Sequence, residues 1–93
     1  MNDDELAELW KSIEEIIYSP TKKDAKSRIT RLNFKVNMLR SEINDSYLFS
    51  KLNSVISYAE SASGSIKDKA NQISYVEQDW DTFENGIKLS RER

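Results

Sequence analysis

The 93-residue sequence has no cysteine and no histidine, and only two glycines and one proline. Without cysteine there is no disulfide, no thiolate nucleophile, and no zinc-finger or iron–sulfur ligation. Without histidine the commonest metal ligand and the usual general base near neutral pH are missing. Gly64, Gly86 and Pro20 supply too little turn material for an all-β fold. Two glycines so far apart cannot form a glycine-rich phosphate loop. No apolar run approaches the roughly 18 residues that a membrane span needs. Charge of one sign is also lacking: 14 Lys and Arg stand against 16 Asp and Glu, for a net charge of -2. That balance suits neither a basic nucleic-acid binder nor a strongly acidic DNA mimic. The start, Met1-Asn2-Asp3-Asp4-Glu5, is acidic, the reverse of a secretory signal's basic end. The expected setting is therefore a reducing cytoplasm, and Asn44-Asp45-Ser46 reads as a helix boundary rather than a glycan acceptor.

What is present is helical periodicity. Leu6, Leu9, Trp10, Ile13, Ile16 and Ile17 form a stripe wide enough to face two neighbours. Asp3, Asp4 and Glu5 complement the positive end of that helix. Ser19-Pro20-Thr21 ends it, and the next helix starts either with Pro20 at its first position or with Thr21 and Asp24 as a capping box. Ala25, Ile29, Leu32, Val36, Leu39 and Ile43 repeat at alternating steps of four and three, a heptad seam. Asn44-Asp45-Ser46 then folds the second helix back on the third as an antiparallel hairpin.

The third stretch allows two readings. From Leu48 to Ile87 one heptad phase holds through Leu52, Val55, Ala59, Ala62, Ile66, Ile73, Val76, Trp80 and Phe83, and only Lys69 breaks it. Taken literally this is one helix of about 40 residues and about 60 Å. Against that stand Ser61-Ala62-Ser63-Gly64-Ser65 and a second capping box, Ser65 with Asp68. A break near Gly64 is favoured, because 40 residues far exceeds the usual helix length. The fold class is all-α: a small bundle of three to four antiparallel helices, four favoured, near 3–18, 21–44, 46–62 and 66–85. Residues 1–87 form one domain, Asn85-Gly86 closes the last helix, and 88–93 is a flexible charged tail. The alternative, an unbroken third helix, leaves Trp80, Phe83 and Ile87 to a second copy in a coiled-coil dimer.

Charge is segregated by helix. Residues 1–20 hold six acids and one Lys; residues 21–44 hold seven bases and two acids. Pairing of the first two helices accounts for this most simply. Two segments are candidates for partner binding. Glu77, Asp79, Asp81 and Glu84 surround Trp80 and Phe83, so rings supply contact area and acids supply steering. In the other, Phe34 and Met38 lie off the second helix's seam, with Arg31 and Lys35 beside them. No carboxylate pair faces across a cleft, and the serines lack a His partner. Ser65 and Lys67 read better as a cap and its first turn than as a Ser–Lys pair, and the EF-hand spacing is absent. Neither a catalytic residue nor a cofactor is expected.

In size, acidity and helical pattern the chain is similar in type to small bacterial and phage proteins that act by binding, such as immunity proteins, antitoxins and inhibitors of host or defence enzymes. No motif carries that likeness. The expected function is non-enzymatic: an inhibitor or adaptor that binds another protein. The alternatives are a nucleic-acid-binding accessory subunit using the basic second helix, and a structural coiled-coil homodimer. A membrane partner is not expected.

Overall fold

The computed structural model describes residues 1–43, 45–65 and 67–91; Asn44, Ile66 and the last two residues lie outside it, as do their expected roles in the seam, the hairpin turn and the tail. Four helices follow one another: α1 (Asp3–Ile17), α2 (Lys22–Leu39), α3 (Ser46–Gly64) and α4 (Lys69–Arg91). Among the described residues there is no strand, and no helix is long and apolar enough to cross a membrane.

Side chains near the chain's polar stretches start the helices. Asn2 accepts from the Glu5 amide at 2.8 Å, and its own amide donates to the Glu5 carboxylate at 3.0 Å, a complete capping box. Thr21, not Pro20, caps α2, accepting from the Asp24 amide at 3.1 Å. Asp45 caps α3 through the Tyr47 amide at 2.8 Å. Ser65 accepts from the Asp68 amide at 3.1 Å, so the polar segment around Gly64 does separate α3 from α4.

Two expected boundaries move most, while α3 ends at Gly64 rather than near 62 and α4 starts at Lys69 rather than near 66. α2 stops at Leu39 rather than at 44, and a tight turn through Arg40–Glu42, in which the Ile43 amide donates to the Leu39 carbonyl at 3.2 Å, carries Ile43 into the core. α4 does not close at Asn85-Gly86 but runs to Arg91, so residues 88–91 are helix rather than tail. The reason is at Gly86. Its backbone is not left-handed, and a Cβ there would land on the Leu48 side chain. The missing side chain lets α3 and α4 approach.

Short connections make sequential helices antiparallel. α3 packs on all three others, most extensively on α4, and α1 packs on both α2 and α3. The broad stripe of α1 makes this possible: Leu6, Leu9, Ile13, Ile16 and Ile17 are all buried. Ala59 and Ala62 are fully buried and let neighbours come close to the end of α3. Val76, Trp80, Phe83 and Ile87 of α4 complete the same core. The apolar residues that a coiled-coil dimer needs are thus covered within one chain. α2 contributes least, with only Ala25, Leu32 and Val36 buried.

Candidate interaction surface

The acidic–aromatic segment of α4 divides in two. Trp80 is 5% exposed and Phe83 is fully buried. Trp80 lies 5.3 Å, ring centre to ring centre, from Trp10 of α1 and 5.4 Å from Phe83. These tilted contacts are typical of aromatic packing in a core. Neither ring is presented to a partner, because heptad spacing turns both into the core, Trp80 against Trp10 of α1. Asp79 meets Lys51 of α3 at 3.4 Å, and Glu84 meets Lys88 one turn along at 3.7 Å. Glu77 and Asp81 remain exposed.

On α2 the arrangement is the reverse. Phe34 is 70% exposed and Met38 is 68% exposed. They are four residues apart, so they adjoin on one face, about half a turn around the helix from Ala25, Leu32 and Val36. Arg31 and Lys35 flank them, are exposed, and among the described residues engage no carboxylate. Two shallow features border this ridge. Lys23, Lys26, Ser27, Thr30 and Arg31 line an open depression on the N-terminal half of the face. On the C-terminal half, Leu9, Met38 and Leu39 line a mostly apolar groove of about 170 Å³ between α1 and α2, with Glu5, Glu8 and Lys35 around it.

Not all of the basic helix faces outward. Arg28 donates to the Glu15 carbonyl at 2.6 Å and to the Ser19 hydroxyl at 3.2 Å. Lys69 donates to the Ile17 carbonyl at 3.0 Å, and its ammonium lies 5.4 Å from the Tyr18 ring centre. α1 has no base in its own last turn. Arg28 and Lys69 therefore bring positive charge to its negative end from α2 and α4. The local sequence around α1 does not announce this role; its signal in the chain is the one break in the heptad, Lys69.

Two further pairs join α3 to its neighbours without bearing on a site: Tyr58 against Tyr75 at 5.3 Å, and Arg40 over Phe49 at 5.4 Å. Asp68 holds its carboxyl below the usual aspartate value, first because the Gln72 side chain donates to it and next because Asn71 does. That is an exposed cap at the start of α4. Among the described residues no three acidic side chains gather as a cation site. Compared with protein-family models, curated proteins and solved structures, the chain matches none.

Proposed function

We propose that the chain is a non-enzymatic protein that works in the cytoplasm by binding another protein, as an inhibitor or adaptor, and that it does so through the outer face of α2. The carrying observation is the exposed Phe34–Met38 pair beside the cations Arg31 and Lys35, which engage no carboxylate among the described residues, on the face opposite the core. Single exposed apolar residues are ordinary. An aromatic ring and a flexible thioether side by side, bordered by an apolar groove, have the form of a binding hot spot. The burial of Trp80 and Phe83 makes α2 the better candidate surface.

The test compares capture of cellular proteins by the wild type and by Phe34→Ala/Met38→Ala. The expected result is unchanged melting with loss of a discrete protein. Equal capture by both would end the assignment to α2. A second reading, nucleic-acid binding by the same helix, draws on the depression lined by Lys23, Lys26 and Arg31. It requires a complex in a low-salt gel shift that weakens steeply as salt rises.

A further inference from the structure

The geometry points to a specific chemistry for the occupant of α2: an acidic segment of another protein, followed by an apolar anchor. Its carboxylates lie over Lys23, Lys26 and Arg31, and its anchor sits against Met38 and the neighbouring groove. This rests on the protein-binding reading and adds the partner's character.

Three observations support it. First, the two halves of the face differ. The N-terminal depression offers three cations and two hydroxyls with no acid among its lining residues. The C-terminal groove is lined mainly by apolar atoms of Leu9, Met38 and Leu39. From Ser27, mid-depression, to Met38 is eleven residues, or about 16 Å along the helix. Second, the rest of the molecule limits how far negative charge can extend. Lys22 to Leu39 hold six bases and one acid, a net +5; subtracting this from the chain's -2 leaves -7 elsewhere. A short acidic segment stays on the basic helix, whereas a longer polyanion runs onto Glu5 and Glu8 beside Met38. That disfavours nucleic acid, whose affinity depends on many phosphates. Third, two copies meeting with their α2 helices parallel about a two-fold axis would set like charges against each other, and a self-adduct would report the antiparallel arrangement.

The experiment places p-benzoylphenylalanine at position 34 in the native host and maps the photo-adduct by mass spectrometry. The expected result is a protein adduct attached within about three helical turns of an Asp/Glu cluster. Lys26→Glu/Arg31→Glu, with melting unchanged, should lower its yield about tenfold or more. Lys26→Ala/Arg31→Ala serves if the reversal unfolds the chain. Basic replacements in the partner's cluster should restore the adduct to the charge-reversed protein. A protein adduct that lacks an acidic cluster, or that ignores these substitutions, overturns the acidic-segment assignment and leaves protein binding standing. A nucleic-acid adduct, a self-adduct, or no adduct from either position 34 or position 38 overturns both.

Discussion

At the scale of single residues, the two glycines separate most clearly. Gly64 ends α3 with open space around the position a Cβ would take, and its φ is not positive. Gly64→Ala should therefore stabilise by about 0.4–1 kcal/mol, by restricting the unfolded chain. Gly86 is the opposite case. An added methyl meets three atoms of the buried Leu48 side chain. Overpacking of this kind costs about 1–3 kcal/mol, and a better helix former returns only about 1 kcal/mol. Gly86→Ala should lower stability, and urea melts of the two variants should move in opposite directions. Lys69→Met should cost about 1 kcal/mol, since it removes the donor to Ile17 and the cation from the end of α1. Asp68 links stability to pH. Its folded-state value lies below 3.8, so its contribution is complete above the unfolded value and disappears as pH falls through the folded one. Asp68→Asn should melt below the wild type at neutral pH, and the gap should close in acid; a constant gap would show that its charge is not responsible.

At the scale of elements, α2 is distinct. α1 buries five side chains and α3 six, while α2 buries three and leaves Ile29 and Leu39 only partly covered. Local opening follows the amount of apolar anchoring. Amide exchange should therefore be faster in α2 than in the central α3, and equal protection would contradict this ranking. Because Phe34 and Met38 add nothing to the core, Phe34→Ala/Met38→Ala should change stability by no more than about 0.5 kcal/mol. The existence and order of the helices were legible because caps and apolar spacing agree locally. The ends of α2 and α4 were not. Ile43 continues a heptad count while its backbone turns, and Gly86 resembles a stop until Leu48 is placed beside it.

At the scale of the molecule, Trp10, Trp80 and Phe83 tie α4 to α1 within one chain. Trp80→Ala or Phe83→Ala should cost about 3–5 kcal/mol, much of the stability of a domain this small. The loss should register as unfolding by circular dichroism; a well-folded variant would contradict the core assignment. A small all-α bundle folded in this way carries +5 on one outer element and -7 over the rest of the chain. Charge segregation was visible in the sequence. Which basic side chains face outward, and which turn to cap α1, was not.

The sequence by itself determined the class of fold and favoured four helices with a break near Gly64, because capping and helical periodicity are local properties of neighbouring residues; the structure decided between that break and one long helix. It also placed Phe34 and Met38 off the seam of their helix. Tertiary structure alone decided what the remaining residues do. Two heptad rings became core because α4 packs along α3, with Trp10 of α1 against Trp80. A glycine became a contact because α3 presses on it. A lysine that breaks the pattern became a cap because α1 ends beside it. Each outcome depends on residues far away in the chain, as close packing of helices requires. The absence of cysteine, histidine and turn residues excluded whole classes of chemistry, and the packing directs the search for function to the outer face of α2.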